Sequence, residues 1–396
     1  MRPAVVDDAL YTWASPSQKK YLDAIKKHGS MSAAARELGV NKSTVHGAWS
    51  SAKNRAAIQG YSPEHGMTKV VPSPFLVKGT STLYDEDGNQ KLQWVKTALN
   101  NERAEEAIRE FIEWLAKDVK GLAAPIKAPA RADADLLAVY PMGDPHFGMY
   151  AWAEETGNDF DTEIAERLTC AAIDRLVESA PAAETALLLE LGDFFHSDNT
   201  TNRTPQSGYQ LDVDTRWARV MQIGLRAMIY CVKRLAGKHK LVRVRIKKGN
   251  HDPHASFALA LALDAYFHGN ERIKVDLSPS EHWYFRFGKV LIGSTHGDTT
   301  KMVNLPGVMA ADRPEDWGAS RFRYWYAGHI HHVEKKEFPG VVCEYFRTLA
   351  ARDAYHAGHG YRAGRDMQCI VHHKDFGEVE RHTCDVAMIE GAKKAA

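Results

Sequence analysis

The segment DLLAVYPMGDPHFG, residues 135–148, places a short apolar run directly before a group of polar and ionisable side chains. The same arrangement recurs in ALLLELGDFFHSD (186–198), LVRVRIKKGNHD (241–252), KVLIGSTHGD (289–298) and YWYAGHIHH (324–332). Each apolar run has the length of one β-strand. Helical patterns lie between them, at residues 164–179 and 217–236. Strands that alternate with helices predict an α/β domain with its chemistry at the carboxyl ends of the strands.

The polar groups after these runs are candidate metal ligands. Two pairs are spaced two residues apart, Asp144 with His146 and His329 with His331. Residues two apart point to the same side of an extended segment, so each pair can face one site. One D-x-H or G-H-x-H is common by chance, but recurrence at five strand ends indicates a centre for two divalent cations, bridged by a carboxylate. The candidate ligands are Asp144, His146, Asp193, Asn250, His296, His329 and His331.

These segments resemble the calcineurin-like metallophosphoesterases. The shared motifs are D-x-H (144–146), GDxxH (192–196), GNHD (249–252), HGD (296–298) and GHxH (328–331). The resemblance covers about residues 135–380 and implies a four-layer αββα sandwich of the α/β class. It also implies the ligand sets. One metal would be held by Asp144, His146, Asp193 and His331, and the other by Asp193, Asn250, His296 and His329, with Asp193 as the bridge.

The resemblance implies a reaction as well. A hydroxide between the ions would attack phosphorus, while His251 assists the leaving group and Asp252 orients the His251 imidazole. The text GDFFHS followed by GNHD is more similar to SbcD-type DNA repair nucleases than to protein serine/threonine phosphatases, which carry GNHE. His196 would then place the scissile phosphate; the alternative is a histidine packed behind the ligands. Manganese is the expected ion, with iron or zinc as alternatives.

Two further features carry weaker expectations. Arg321 and Arg323 precede the strand that leads to His329, and they would clamp a phosphate or remain solvated at the surface. The segment FRTLAARDAYHAGHGY, residues 346–361, resembles the C-terminal part of metallophosphoesterases from tailed phages and prophages. It indicates origin rather than chemistry.

The segment GSMSAAARELGVNKSTVHGAWSSAKNRA, residues 29–56, predicts two helices. The first spans about residues 31–38 and is broken at Gly39, and the second is capped by Asn41 or Ser43 and ends near residue 53. This pattern resembles the DNA-binding helix-turn-helix of bacterial and phage regulators. Between residues 15 and 60, eight Lys and Arg stand against two acidic residues. That excess favours nucleic acid over a hairpin that binds protein. The expected DNA contacts are Lys42, Ser43, Thr44, His46, Ser50, Lys53 and Arg55.

Composition divides the chain into three regions. We expect a helix-turn-helix module in residues 1–60, a connecting region in 61–133 and the catalytic domain in 134–396. The connecting region contains a hairpin with its turn at Asp87 and Gly88, a helical pattern at about 97–119 and an Ala/Pro linker at 121–135. The chain shows no export signal and no membrane span, and its five cysteines include no CxxC pair. A cytoplasmic protein with reduced thiols is expected.

Three functions follow from these patterns. The first is a metal-dependent DNA nuclease of phage or prophage DNA metabolism. The second is a phosphomonoesterase or cyclic-nucleotide phosphodiesterase, in which the N-terminal module only regulates or docks. The third is a DNA-binding regulator with an inactive phosphoesterase domain, which the intact GNHD and the complete ligand set disfavour. The first two differ in pocket width and charge, which the sequence does not reveal.

Overall fold

The computed structural model describes residues 6–71, 75–87, 90–99 and 121–395. The chain divides into two compact units, Met1–Glu106 and Ala107–Ala396. Most of the helix predicted at about 97–119 lies outside the described residues, and its first three positions belong to a strand instead. Gly88 of the predicted hairpin turn also lies outside them.

The first unit begins with a 3-10 turn, Asp8–Thr12, followed by helices α1 (Pro16–His28), α2 (Met31–Glu37) and α3 (Lys42–Ile58). Ser15 caps α1 in a capping box with Gln18, and Gly29 ends that helix in the left-handed conformation. Gly39, with φ of 63°, makes the turn between α2 and α3. The second helix extends five residues beyond its predicted end at residue 53 because Ala56 continues the buried face.

Two small antiparallel sheets complete the first unit. Strand β1 (Tyr61–Ser62) pairs with β2 (Met67–Thr68), with a 3-10 turn, Pro63–His65, between them. Strand β3 (Phe75–Tyr84) pairs with β4 (Gln90–Leu99). The predicted hairpin is therefore present, with strands longer than the sequence pattern indicated.

The second unit contains two larger sheets. The strands are β5 (Asp133–Met142), β6 (Ala183–Glu190), β7 (Leu241–Ile246), β8 (Ile273–Asp276), β9 (Trp283–Phe287), β10 (Val290–Ser294), β11 (Phe322–Ala327), β12 (Glu334–Phe338), β13 (Val341–Tyr345), β14 (Asp366–His373) and β15 (Gly377–Asp385). One sheet has six strands in the order β15-β14-β5-β6-β7-β8, and the other has five in the order β12-β13-β11-β10-β9. Within these sheets β5 to β8 are mutually parallel, and so are β10, β11 and β13.

The helices of this unit are α4 (Ala153–Thr156), α5 (Thr162–Ser179), α6 (Trp217–Lys238), α7 (Ala255–Tyr266), α8 (Leu305–Asp312), α9 (Pro314–Ala319), α10 (Ala354–Gly358) and α11 (Val386–Ala395), with a 3-10 turn at Met302–Asn304. The predicted helices at 164–179 and 217–236 correspond to α5 and α6. Asp161 caps α5 by accepting a hydrogen bond from the Ile164 amide.

Alternating side chains on the strands build a four-layer sandwich. Leu187 of β6 packs between the sheets with Ile292 of β10, whereas its neighbour Leu188 faces the core formed with α5, α6 and α7. Leu291 faces the opposite way from Ile292 and packs with Met309 of α8. This period of two explains why β6 and β10 are continuously apolar, since both faces of each strand are covered. The predicted order of layers, helices, sheet, sheet and helices, is confirmed.

The cysteines and the helices bear on two expectations drawn from composition, reduced thiols and the lack of a membrane span. All five cysteines are free, and all but Cys170 are buried. Among the helices described here, none has both the length and the apolar character needed to cross a membrane.

Candidate metal centre

The candidate ligands follow the carboxyl ends of five strands. Asp144 and His146 come after β5, Asp193 after β6, Asn250 after β7, His296 after β10, and His329 with His331 after β11. Parallel strands present their carboxyl ends at one edge of a sheet. The two sheets face each other, so both edges contribute to the same site.

Asp144, His146 and His331 form one group of side chains. Their ligand atoms lie within 4.8 Å of one another. The Nε2 atoms of His146 and His331 are 3.1 Å apart, and Nε2 of His331 is 3.5 Å from Oδ1 of Asp144. Asp144 is held in place because both of its carboxylate oxygens accept from the His329 amide, at 2.8 and 2.9 Å.

Asp193, His296 and His329 form a second group under the same criterion. Nε2 of His296 lies 3.2 Å from Oδ2 of Asp193 and 3.1 Å from Oδ1 of Asn250. The other ring nitrogen of His296 donates to the Leu191 carbonyl at 2.8 Å. This bond leaves Nε2 as the nitrogen that faces the site, an arrangement found behind metal-binding histidines.

The backbone of the site is strained. Six non-glycine residues of the described chain have positive φ, and all but Asn202 are candidate ligands. These five are Asp144, His146, Asp193, His329 and His331, with φ between 46° and 70°. Such conformations cost about 1–3 kcal/mol each and cluster at functional sites. The fold therefore maintains an unfavourable backbone in order to direct these side chains inward.

Two glycines of the motifs, Gly249 and Gly328, lie directly against the carboxylates of candidate ligands. A Cβ on Gly249 would lie 1.9 Å from Oδ1 of Asp193, and a Cβ on Gly328 would lie 2.5 Å from Oδ2 of Asp144. Both distances are far below van der Waals contact. Glycine is required at these positions because a carboxylate packs against the backbone.

The electrostatics of the groups favour a cation. Burial, followed by the charge of His251, lowers the pKa of His146 well below its usual value. Burial opposes ionisation of Asp193, but the nearby His296 and His251 outweigh it and hold the Asp193 pKa well below its usual value. Burial opposes protonation of His296 and His331, but the nearby carboxylates of Asp193 and Asp144 outweigh it and raise the pKa of each imidazole. The Nε2 atoms of His146 and His331 approach to 3.1 Å beside the Asp144 carboxylate, and such mixed N and O donors suit Mn, Fe or Zn.

His251 is positioned by the backbone. Its amide donates to Oδ1 of Asp193 at 2.7 Å, and its Nδ1 donates to the His196 carbonyl at 2.9 Å. The His196 ring stacks on it, with centroids 5.3 Å apart. His196 is itself 1% exposed, and its Nδ1 lies 3.3 Å from Nδ1 of His146. This contact corresponds to the alternative of a histidine behind the ligands, so contact of His196 with a scissile phosphate stays a prediction.

The role predicted for Asp252 is corrected by the structure. Asp252 does not orient the His251 ring, because its Oδ2 accepts from the Phe195 amide and its Oδ1 from the Gly249 amide, both at 3.0 Å. The carboxyl group is fully buried. It instead ties the loop after β7 to the loop after β6, which keeps Asn250 near Asp193.

Arg321 and Arg323 are not brought to the site. Both lie at the start of β11, whereas His329 follows its other end. The Arg323 guanidinium donates to the carbonyls of Trp317 and Ser320, at 2.6 Å each, and covers the Trp317 ring. These contacts give Arg323 a structural role between β11 and α9, so the predicted phosphate clamp is not formed.

Sequence reasoning missed the segment that covers one side of the site. A cavity of about 770 Å³ is lined by His251, Asn250 and His329, and also by Arg352 and His356. The density of histidine, arginine and tyrosine in residues 352–362 is the signal that could have found it, but the sequence analysis used residues 346–361 only as an indication of origin. The geometry instead places this segment next to the candidate ligands.

The residues predicted to contact DNA divide into two sets within the first unit. Lys42, Ser43, Thr44 and His46 are exposed at the start of α3, and Ser50 is half-buried. Lys53 pairs with Glu64 at 2.6 Å and lies over the Trp49 ring. Arg55 donates to the Trp13 carbonyl at 2.8 Å and to the Gln18 side chain. Arg55 therefore closes the helical core, and the expected contact with phosphate is not available to it in this arrangement.

Comparisons with known proteins add little to these observations. No protein-family model matches the chain, and no curated protein does. Similar solved structures include a predicted phosphoesterase from Streptococcus pneumoniae (11% identity, TM-score 0.26), Vps29 complexed with Zn from Entamoeba histolytica (12%, 0.26) and a dimetal phosphatase from Danio rerio (9%, 0.34). Each comparison covers 63% of this chain and 98% of the other.

Proposed function

We propose that this protein is a calcineurin-like metallophosphoesterase that hydrolyses phosphodiester bonds of nucleic acid. One observation carries the proposal. The ends of four strands from two sheets bring Asp and His side chains into two groups beside one cavity, with five of these residues in a strained backbone conformation. Ion pairs that only stabilise the fold do not require positive φ at their residues, whereas strained backbone of this kind clusters at binding and catalytic sites.

Two divalent cations, manganese being the expected ion, would be held by the two ligand sets given above. When bound, they supply a nucleophile at neutral pH and stabilise negative charge on phosphorus-bound oxygens. His251 lies in the cavity wall with Nδ1 engaged by the His196 carbonyl. Its Nε2 is the nitrogen left to hold a proton for the leaving oxygen.

Support for nucleic acid comes from two features. The cavity, at about 770 Å³, is in the upper part of the range for small-molecule sites, so it has room for more than one phosphate group. The first unit exposes Lys42, Ser43 and Thr44 at the start of α3, a location suited to a DNA groove. A phosphomonoesterase would need neither feature. The phage origin remains part of the proposal and rests on resemblance alone.

The proposal is tested with purified protein and Mn²⁺, using labelled single-stranded DNA, duplex DNA and a panel of nucleotides. We expect the wild-type protein to cleave DNA and to leave the monoesters unchanged. Asp193→Asn should abolish cleavage and lower bound metal at both sites, because the bridging carboxylate loses its charge. Bound metal is measured by elemental analysis.

Asp375→Asn provides the matched control. Asp375 lies beyond the far end of β14 and pairs with Lys289 at 2.9 Å. This variant should retain metal and activity. Hydrolysis of monoesters alone would replace the nuclease by the second candidate function, and normal turnover by Asp193→Asn would contradict the metal centre itself.

A further inference from the structure

A series of aromatic rings leads from the metal centre to the surface. The His356 ring stacks on His331, with centroids 4.7 Å apart and planes inclined by 18°. Tyr361 follows, with its centroid 5.6 Å from that of His356. His359 stacks on Tyr361 at 6.4 Å and 17°, and Tyr355 lies 4.1 Å from His359. The innermost ring belongs to a candidate ligand, so the series begins where the reaction would occur.

The outer rings of this series are exposed. Tyr355 is 56% exposed and Tyr361 is 49% exposed, although both line the cavity. A third tyrosine of the cavity lining, Tyr209, is 67% exposed. Exposed tyrosines at the mouth of a polar cavity present flat apolar faces to an incoming ligand, which is unusual unless those faces are used.

The segment that carries the rings is held in a defined conformation. Asp353 caps α10, since its Oδ1 accepts from the His356 amide at 2.8 Å and from His356 Nδ1 at 2.6 Å. The Tyr361 amide donates to the His356 carbonyl at 3.1 Å. These bonds hold residues 353–361 in one conformation before a ligand arrives. Preordering of this kind reduces the entropy cost of binding.

A cation accompanies the rings. Arg352 lines the same cavity and is half-buried, and among the described residues it forms no salt bridge. Arginine without an acidic partner in a cavity is suited to a phosphate. Arg352 takes the place that the sequence had suggested for Arg321 and Arg323.

We propose that residues 352–361 form a stacking platform for unpaired bases next to the scissile phosphate, with Tyr355 and Tyr361 as the stacking rings and Arg352 on a neighbouring phosphate. The inference rests on the proposed nuclease function and narrows its substrate to single-stranded nucleic acid. In a duplex the faces of each base are covered by its neighbours, so only an unpaired strand can place bases on the rings. Phosphate contacts alone would not make this distinction.

The test compares Tyr355→Ala and Tyr361→Ala with the corresponding Phe variants. The substrates are a single-stranded oligonucleotide and the same strand with abasic positions flanking the cleavage site. Each Ala variant should raise KM for the normal strand by about 5- to 150-fold, the range for a lost base–aromatic stack, with little change in kcat. The Phe variants should behave as wild type, because the ring is retained. On the abasic strand, wild type and Ala variants should give the same KM.

A second measurement is independent of turnover. Anisotropy of the labelled strand in the Asp193→Asn background should show weaker binding on addition of Tyr361→Ala. Phe376→Ala serves as the control, since this ring is 66% exposed near the far end of β14. If the wild type cleaves single strands and the Ala variants keep the normal KM, or if duplex is the better substrate, the platform is wrong while the nuclease stands. If the wild type cleaves no DNA, the proposed function itself fails.

Discussion

His251 and Asp252 are adjacent in the chain, yet they act on different parts of the site. His251 lines the cavity, and its Nδ1 is taken by the His196 carbonyl. Asp252 is buried and accepts two backbone hydrogen bonds. His251 can therefore exchange a proton with a bound ligand. Asp252 can affect the reaction only through the position of the two loops that it joins.

We expect His251→Ala to retain metal and to lower kcat by about 10² to 10⁴-fold, the usual range for a lost acid or base. Elemental analysis and steady-state kinetics measure the two quantities separately. Loss of metal in this variant would make His251 a ligand instead. The ligand atoms of His146, His196 and His251 also lie within 4.8 Å of one another, so this group could hold a metal. Bound metal and kcat therefore have to be measured together in the His251→Ala variant.

Asp252→Asn should affect stability more than catalysis. The introduced amide places a donor against the Phe195 or Gly249 amide, and one buried N–H loses its acceptor. Such a group costs about 1–3 kcal/mol. The melting temperature should fall while residual activity per folded molecule persists. A normal melting temperature with a large loss of kcat would restore the orienting role that the sequence suggested.

Gly249→Ala tests the close approach of backbone and carboxylate. Its Cβ would lie 1.9 Å from Oδ1 of Asp193, so Asp193 or the loop has to move. We expect loss of bound metal and of activity. Gly237→Ala is the matched control, because this glycine of α6 has no atom within 4 Å of an added Cβ and should gain up to about 1 kcal/mol of helix stability. Metal retained by Gly249→Ala would contradict the packing around Asp193.

At the level of elements, the five strands that precede the candidate ligands could be predicted because they are apolar and largely buried, and α5 and α6 because they are amphipathic. The candidate ligands were recognisable since each directly follows such a strand. The contacts of Asp252 and Arg323 could not be predicted, because their partners are backbone groups fixed only by tertiary folding. The platform was missed for a similar reason. Nothing within residues 352–361 shows that they fold back against His331.

A buried histidine links three elements far from the site. His239 follows α6, its Nδ1 donates to the Ala183 carbonyl at 2.8 Å, and the Tyr140 hydroxyl lies 3.0 Å from its Nε2. Burial lowers the pKa of His239 to about 4. An unfolded histidine titrates near 6.5, so the unfolded chain binds more protons between these values. The stability due to neutral His239 is complete above pH 6.5 and is lost as pH falls towards 4.

We therefore expect the melting temperature to fall between pH 6.5 and 4, with about 3 kcal/mol of the loss due to His239. His239→Gln retains a donor and an acceptor without titrating, so its melting temperature should fall less steeply over this interval. Equal slopes for the wild type and His239→Gln would show that His239 is not neutral in the folded protein.

At the scale of the whole molecule, two compact units divide the proposed tasks. The ligand groups and the cavity belong to Ala107–Ala396, and the basic helices belong to Met1–Glu106. Composition alone indicated this separation of charge from chemistry. Which basic residues remain available for DNA could not be read from the sequence, since Lys53 and Arg55 are engaged by Glu64 and by Trp13 with Gln18.

The DNA role of the first unit is tested by removing it. Residues 107–396 alone should hydrolyse a small chromogenic diester at the wild-type rate, while duplex DNA binds more weakly and with a smaller dependence on salt. Each lost phosphate contact lowers the slope of log K against log salt by about 0.9, so titrations between 50 and 200 mM salt give the number of contacts.

Lys42→Ala in the full chain should lower the slope by about one. Arg55→Ala should lower the melting temperature instead, because its guanidinium bonds to Trp13 and Gln18 within the unit. An unchanged slope after truncation would assign all DNA binding to the catalytic unit, and the helices would then have to serve another partner.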